Sequence, residues 1–400
     1  MKGVHQFVPM LHVGDAVGKH AAGLQHALRA RGVRSEIYVE LDDPDTVDRT
    51  RPARSYPGEA EAGDVLVYQF ATASDLAGWL VGRPEPLIVN YHNVTPPELF
   101  APWDNGLARH QVRAMAELSA LAPRAALGVA VSELNRRDLR QRGFAATAVV
   151  PPIVDLRAVE STDGAAGGGQ PRRRGARWLS VGRLAPNKAV EDTIAALLAY
   201  RRRHDAEASL LVVGGTPVPA YAEALEQYAA ELGLADAVRF AGKVDDDALG
   251  DAYRTSDVLV VASEHEGFCL PVVEAMAQGL PVVACRRGAL PEVLGDAGVL
   301  LENKDPVVTA DAVHRLQTDD EWRAAVVGAG HRRLPALGLD DAAPRLAGLL
   351  LAVREGDPWP SGVDAGPDGA GRSGPDGLGH QLHEPRRGPL DREAVRPPGG

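Results

Sequence analysis

The chain has 400 residues, of which 45% are hydrophobic, and a formal net charge of −11 at pH 7. This length and apolar content suffice for two domains with buried cores, and the acidic balance argues against general nucleic-acid binding. Two cysteines cannot form a disulfide framework, nothing at the N-terminus resembles a signal peptide, and no window reaches the ~18 uninterrupted apolar residues of a membrane span. We therefore expect a soluble, cytoplasmic protein, for which a peripheral contact with the inner face of the cell membrane stays open.

The first 154 residues alternate between short apolar runs and segments with helical periodicity. This pattern predicts strands at 4–10, 35–39, 64–69, 86–90, 127–132 and 148–150, and a helix at 20–31. The loop between the first strand and this helix contains Gly14 but no complete G-x-G-x-x-G. Its small residues let a ligand approach the backbone, although a tight turn without a ligand is the alternative.

His92 follows the predicted strand 86–90. Open α/β sheets bind ligands beyond the carboxyl ends of their strands, so this histidine could bind a sugar hydroxyl or assist proton movement. A structural histidine satisfied by loop carbonyls explains the position equally well.

Residues 155–176 separate two halves, because 161–170 are rich in Gly, Ala and Ser and three arginines follow. The second half predicts strands at 178–181, 209–213, 238–240, 259–262 and 282–283, with helices between them. Regular alternation of strand and helix is typical of a parallel, doubly wound sheet. A cleft between two such domains is a favoured ligand site.

The stretch 259–284 predicts a buried strand, a loop and a helix that begins near Leu270. This geometry aims free backbone N–H groups at an anion. Two carboxylates flank the loop, Glu266 before the helix and Glu274 within it. Phosphates and hydroxyls in one ligand, as in a nucleotide sugar, would suit such a site. The alternative is a loop charge and an exposed helical residue.

Two cations, Arg183 and Lys188, lie in the loop that follows Gly182. When the bond between a sugar and a nucleoside diphosphate breaks, negative charge grows on the diphosphate. Fixed cations and helix N-termini can stabilise that charge without a metal. A helix terminus contributes only ~0.3–2 kcal/mol, so the two cations would carry most of this effect. The alternative is that both cations are simply solvated.

Three of these stretches resemble retaining GT-B glycosyltransferases of glycosyltransferase family 4. Residues 266–277 resemble the E-x7-E signature, 181–188 are similar to the loop with the phosphate-binding Arg and Lys, and 240–244 resemble the loop that meets the nucleobase. The resemblance extends from the N-terminus to about residue 354. Two positions depart from it, since Cys269 and Ala189 stand where glycine is common, but neither change removes a functional group.

The resemblance implies a role for each matching residue. Glu266 would bind the hydroxyls of the donor sugar and Glu274 those of the ribose, while Arg183 and Lys188 would hold the diphosphate. The other implied donor contacts are the backbone N–H groups of Phe268, Cys269 and Leu270, the base loop with Gly242 and Val244, Gly14 beside the diphosphate, and His92 near the transferred sugar.

The resemblance also implies the architecture, two Rossmann-like domains that face each other across a cleft. The expected divisions are an acceptor-side domain at 1–154, a linker at 155–176, a nucleotide-sugar domain at 177–338, and a helix at 339–355 that crosses back to the first domain. Residues 356–400 are rich in Gly, Pro and Asp, which predicts a disordered tail.

The expected activity is that of a hexosyltransferase-type enzyme (EC 2.4), which would transfer a sugar from a nucleoside-diphosphate donor to a glycan, glycolipid or small molecule in cell-envelope or polysaccharide biosynthesis. The resemblance implies that no metal or cofactor is needed, and no His/Cys spacing around Cys269 and Cys285 supports a zinc site. A nucleotide-sugar epimerase and a non-catalytic nucleotide-sugar-binding protein remain alternatives.

Overall fold

A computed structural model describes residues 2–11, 15–41, 43–44, 46–156 and 175–365. These residues form two α/β domains, each built on one sheet, as the sequence predicts. Gly14 and most of the predicted linker lie outside the described residues, as does the predicted tail beyond residue 365. No described helix has the length and apolar character needed to cross a membrane.

The first domain holds a sheet of eight described strands in the order β14-β7-β6-β5-β4-β1-β2-β3, all parallel to their neighbours except β14. In chain order its elements are β1 (Val4–Met10), α1 (Ala16–Arg29), β2 (Ile37–Leu41), β3 (Arg51–Pro52), α2 (Tyr56–Glu59), β4 (Val65–Phe70), α3 (Asp75–Val81), β5 (Leu87–Tyr91), α4 (Pro97–Phe100), α5 (Asn105–Leu121), β6 (Ala125–Ala130), α6 (Glu133–Gln141) and β7 (Thr147–Val149).

The second domain holds a parallel sheet of six described strands in the order β10-β9-β8-β11-β12-β13. In chain order its elements are β8 (Arg177–Val181), α7 (Val190–Arg203), β9 (Ser209–Val213), α8 (Pro219–Glu231), β10 (Val238–Gly242), α9 (Asp246–Thr255), β11 (Val258–Val261), α10 (Leu270–Ala277), β12 (Val282–Cys285), α11 (Leu290–Leu294), β13 (Val299–Leu301), α12 (Pro306–Thr318) and α13 (Asp320–Ala336).

The central strands are buried on both faces, which explains their continuous apolar runs. All four residues of β11 are buried, and so are all six of β4. Helices on both faces of each sheet complete the cores. Hydrophobic burial of this extent is the main source of stability in such domains.

The last described elements, α14 (Ala342–Glu355) and β14 (Val363–Asp364), return to the first domain. Leu346 and Leu350 of α14 are fully buried in one cluster with Val4 and Leu24. β14 pairs with β7 in antiparallel orientation. The prediction of a disordered tail from residue 356 is therefore wrong for residues 356–365, because a two-residue strand is too short to give a sequence pattern.

Candidate active site in the interdomain cleft

The second sheet reverses its strand order between β8 and β11, which are neighbours although two strands of the sheet, β9 and β10, separate them in the chain. Loops that follow such a pair diverge and leave a crevice at the carboxyl edge, the usual ligand site of an open α/β sheet. The loop after β8 contains Gly182, Arg183 and Lys188, and the loop after β11 contains Glu266. The topology thus brings together residues that the sequence separates by about 80 positions.

Backbone hydrogen bonds join three neighbouring loops at this edge. The Gly182 N–H donates to Val213 O at 2.9 Å, and the Gly214 N–H donates to Gly242 O at 2.9 Å. Gly214 has φ +150°, and a Cβ there would lie 1.9 Å from Gly182 O. Only glycine allows this approach, so the loop backbones that carry the predicted phosphate and base contacts form one packed layer.

Lys188 and Glu266 form an ion pair across the crevice. Lys188 Nζ donates to Glu266 Oε1 at 2.6 Å, and the side chains are 18% and 8% exposed. Ser263 Oγ also donates to Glu266 Oε1, at 2.7 Å. Burial makes both charges costly without a partner, so the pair fixes the carboxylate in one position.

Three backbone N–H groups at the N-terminus of α10 have no hydrogen-bond partner in the part of the chain that the structure describes. No described residue accepts a hydrogen bond from the N–H of Phe268, Cys269 or Leu270. Pro271 lies in the first turn, where its missing N–H costs nothing. These N–H groups are the ones that an anion at a helix N-terminus would use.

Cys269 adopts the left-handed conformation, with φ 74° and ψ 72°. This conformation costs a residue with a Cβ about 1–2 kcal/mol, so glycine would be easier to accommodate here. Burial raises the pKa of the Cys269 thiol well above its ordinary value, which keeps the sulfur protonated and unreactive as a nucleophile. The residue therefore shapes the loop and contributes no thiolate chemistry.

Every non-glycine residue with positive φ in the described chain lies at this cleft. Besides Cys269, these are Ala189 with φ 48° and Asn93 with φ 94°. Asn93 belongs to the first domain, and its Oδ1 lies 3.0 Å from His265 Nε2 in the second. Backbone strain of this kind persists where the surrounding structure holds it, and it concentrates at functional sites.

Glu274 lies on α10 and accepts a hydrogen bond from the Tyr253 hydroxyl at 2.6 Å. Burial raises the pKa of the Glu274 carboxyl, and the Tyr253 hydrogen bond and the Lys19 charge oppose that rise. Lys19, on α1 of the first domain, pairs with Asp246 of the second at 2.8 Å. Glu274 therefore lies close to the place where α1 meets the second domain.

Arg183 is exposed, and it makes no ion pair with any described residue. Gly242, with φ 68°, ends β10, and half-buried Val244 follows in the same loop. The structure thus groups Arg183, Gly242 and Val244 along one edge with Lys188.

His92 lies in the opposite wall, at the carboxyl end of β5. Its Nε2 is 2.7 Å from Gln69 Oε1, and its ring meets the His20 ring edge-on, with centroids 4.8 Å apart. Burial lowers the pKa of His92 to about 4, so the ring is neutral at physiological pH. It can exchange hydrogen bonds with a ligand but supplies no positive charge there.

Contacts between the domains flank these residues. Glu292 of α11 accepts the backbone N–H groups of Glu133 and Leu134 at 2.7 and 3.3 Å. A side chain of the second domain therefore caps α6 of the first. Trp103 and Tyr221 also meet across the domains, edge-on at 5.0 Å. In the described chain, no group of three or more His, Cys, Asp or Glu side chains is arranged to hold a metal ion.

Comparison with known proteins assigns the enzyme class. Residues 175–319 match the family profile Glycosyl transferases group 1. A D-inositol 3-phosphate glycosyltransferase of Streptomyces avermitilis is 31% identical over 307 residues, which cover 72% of this chain and 66% of that protein. The corresponding protein of Thermomonospora curvata is 29% identical over 358 residues, 84% of this chain and 83% of that protein. The chain is a glycosyltransferase.

Solved structures agree with the GT-B fold of this glycosyltransferase. Anabaena HepE, in complex with UDP and glucose, superposes with a TM-score of 0.69 at 17% identity, covering 88% of this chain and all of that one. Sucrose-phosphate synthase from Thermosynechococcus elongatus gives 0.70 at 20% identity, with 89% of this chain covered. At these identities the likeness concerns the fold.

Several residues of the candidate site were not among the sequence predictions. Ser263 and Tyr253 hold the two glutamates, and Gly288 packs against the Glu266 backbone, where a Cβ would lie 2.6 Å from its N and O atoms. Ser263 does give a signal, because a hydroxyl directly follows a buried apolar strand. Tyr253 and Gly288 give none, since only the tertiary fold brings them to the site.

Proposed function

We propose that the chain is a retaining glycosyltransferase of family 4 that transfers a sugar from a nucleoside diphosphate to an acceptor hydroxyl. The observation that carries this proposal is the Lys188–Glu266 pair at the strand-order reversal, beside the free N–H groups at the start of α10. A cation and free N–H groups suit a diphosphate, and a fixed carboxylate suits sugar hydroxyls.

Each donor part has a matching group in the cleft. Lys188, exposed Arg183 and the N–H groups of residues 268–270 would hold the diphosphate. Glu266 would accept hydrogen bonds from the sugar hydroxyls and Glu274 from the ribose, while the base would lie along the loop of Gly242 and Val244. The solved complexes of Anabaena HepE with UDP and with UDP-glucose support a nucleotide-sugar donor.

The leaving diphosphate gains negative charge as the glycosidic bond breaks. Fixed donors stabilise such charge most when water is excluded, and closure of the two domains provides that exclusion. We infer that Lys188, Arg183 and the α10 terminus perform this role without a metal. Transfer is then expected to continue in excess EDTA, measured as product formed with and without chelator; loss of turnover that Mg²⁺ restores would contradict this inference.

His92 would meet the acceptor side of the sugar as a neutral ring. We propose that it hydrogen-bonds a hydroxyl there and holds the sugar in the orientation for attack. Among acceptors, a cyclitol phosphate merits the first trial, because both relatives described above are D-inositol 3-phosphate glycosyltransferases. Glycans and glycolipids complete the acceptor panel.

Donor binding gives the first test. We expect one sugar nucleotide among the UDP, GDP, ADP and dTDP series to raise the melting temperature, because a ligand of the native state stabilises it. Arg183→Ala should then weaken its affinity about 10- to 100-fold, since a charged hydrogen bond contributes about 1.5–3 kcal/mol. Calorimetric titration measures the affinity.

Arg202→Ala is the matched control, because Arg202 is an exposed arginine of α7 outside the cleft. It should bind the donor as the parent does. Equal loss in both variants, or no stabilising nucleotide at all, would overturn the assignment. Isomerised sugar formed without any acceptor would indicate an epimerase, and binding without turnover across the acceptor panel a non-catalytic protein.

Glu274→Gln should separate stability from binding. The raised pKa means that folded Glu274 holds its proton to a higher pH than the unfolded chain does, so its contribution to stability falls as pH rises above the ordinary value of 4.5. Glutamine still accepts from Tyr253 but carries no charge. We expect a higher melting temperature at pH 7 and roughly tenfold weaker donor binding, because a neutral acceptor forms weaker hydrogen bonds.

The exposed Glu226 of α8 provides the comparison. Glu226→Gln should change neither melting temperature nor donor affinity, measured by the same two methods. A Glu274→Gln variant that binds the donor as tightly as the parent would exclude Glu274 from the ribose site.

A further inference from the structure

Three buried amides cross the first sheet below the cleft. Gln6 on β1, Gln69 on β4 and Asn90 on β5 are each 0% exposed. Strands that are covered on both faces are usually apolar, and a buried amide is costly unless it is hydrogen-bonded. We call these three residues the amide row. Packing alone does not explain why three amide side chains are buried in this sheet.

The amide row has a fixed hydrogen-bond direction. Gln6 Nε2 donates to the carbonyl oxygen of Ala21 at 2.8 Å. A carbonyl oxygen only accepts, so the nitrogen of Gln6 must face it and the oxygen must face Gln69. Gln69 Nε2 accordingly donates to Gln6 Oε1 at 2.7 Å. The oxygen of Gln69 is thereby turned towards His92.

This direction determines which nitrogen of His92 carries the proton. Gln69 Oε1 lies 2.7 Å from His92 Nε2, so Nε2 must be the donor. Asn90 Nδ2 donates to the same oxygen at 2.8 Å and holds the Gln69 amide from its other side. Nδ1 of His92 is left unprotonated, and no described residue hydrogen-bonds to it.

The His20 ring packs edge-on against the His92 ring and stays neutral. The backbone N–H of Ile153 donates to His20 Nδ1 at 3.0 Å, so the single proton of the neutral ring lies on Nε2. A second proton, on Nδ1, would face the Ile153 N–H and find no acceptor. The ring that packs edge-on against His92 therefore brings no charge to it.

We infer that Gln69 is a positioning residue, which fixes His92 in the Nε2–H tautomer so that Nδ1 accepts a hydrogen bond from a hydroxyl of the bound sugar or acceptor. The role of His92 in this inference rests on the proposed function. The assignment of its tautomer rests on the hydrogen bonds of the amide row. The opposite tautomer would present a donor at Nδ1 and would set two lone pairs, at Nε2 and Gln69 Oε1, against each other.

The tautomer is measured directly on the full-length protein with ¹⁵N-labelled histidine, because protonated and unprotonated ring nitrogens have separate chemical shifts. The His92 signals are assigned by their loss in His92→Ala. We expect the Nε2–H tautomer in the parent and a shift towards Nδ1–H in Gln69→Met, which keeps the volume but removes the acceptor. Gln111→Met, at another buried amide on α5, is the control and should leave the His92 signals unchanged.

Kinetics provide the second readout. Gln69→Met should lower kcat about tenfold with little change in the donor KM, since a misdirected hydrogen bond costs about that factor. In a His92→Ala background the same substitution should have no further effect on kcat, because a residue that acts through His92 loses its role with it. An additive loss, or an unchanged tautomer in Gln69→Met, would overturn the inference. Full transfer by His92→Ala would instead contradict the proposed role of His92, and the tautomer measurement would still decide on Gln69.

Discussion

Replacing Lys188 with alanine is expected to abolish sugar transfer and to destabilise the second domain. The substitution leaves the Glu266 carboxylate, 8% exposed, without the cation that pairs with it, although the Ser263 hydroxyl still donates to it. Removing one partner of a buried pair costs about 3–5 kcal/mol, and loss of a fixed cation at a developing charge costs about 10²–10³ in kcat. Urea unfolding and a transfer assay measure the two effects.

Two further variants separate these effects. Lys188→Met keeps the aliphatic stem, which packs near Gly182, and removes only the charge. It should lose as much activity as Lys188→Ala. Lys304→Ala is the comparison, because Lys304 is also a mostly buried lysine, but it pairs with Asp192 at 2.6 Å and with Glu264, and not with Glu266. It should lose stability while retaining transfer; full activity in Lys188→Met would exclude Lys188 from the mechanism.

Gly288→Ala is the second change with a large expected effect, although Gly288 has no side chain to contribute to the site. Its φ is +55°, and a Cβ would lie 2.6 Å from both the N and the O of Glu266. The added methyl must push the Glu266 backbone away. Misplacement of a positioning group by about 1 Å can cost ~10²-fold in rate, so we expect at least a tenfold loss of kcat/KM.

Gly233→Ala distinguishes displacement from backbone strain. Gly233 also has positive φ, +72°, but a Cβ there meets no heavy atom within 4 Å. It should cost only the left-handed penalty of about 1–2 kcal/mol in unfolding free energy and leave kcat/KM intact. If Gly288→Ala, like Gly233→Ala, loses only about 1–2 kcal/mol of unfolding free energy and keeps its kcat/KM, then transfer does not depend on the position that Glu266 has in this structure.

The alternation of strand and helix made the two-domain architecture predictable, because strands buried on both faces must be apolar and a parallel pair needs a crossover. The 17-residue helix α5 was missed nonetheless. Its buried face consists largely of Ala108, Gln111 and Ala114, with leucine only in its last turn. An alanine- and glutamine-rich face gives too weak an apolar period to indicate a helix.

The predicted site residues are divided between the two walls of the cleft. The structure brings Arg183, Lys188, Glu266 and Glu274 to the edge of the second sheet, and it places His92 in the first domain. The partners of these residues could not be predicted. Contacts such as Tyr253 with Glu274 join residues on different elements, and no local pattern encodes them.

The unusual backbone conformations at the cleft were also only partly predictable from the sequence. Cys269 and Ala189 were noticed in the sequence because they replace glycines of the resembling family. The structure adds that both have positive φ, which explains why glycine is common at these positions. Asn93, the third such residue, gave no comparable signal, because asparagine is frequent in ordinary loops.

The return of α14 to the first domain means that the chain connects the two domains twice. The second connection is very short: Leu339 is buried in the core of the second domain, and Ala342 in that of the first. Two covalent connections restrict the rotation of one domain relative to the other largely to an axis that passes near both connections. Inserting a few glycines around Asp340 and Asp341 would therefore allow rotation about other axes, without changing any residue of the cleft.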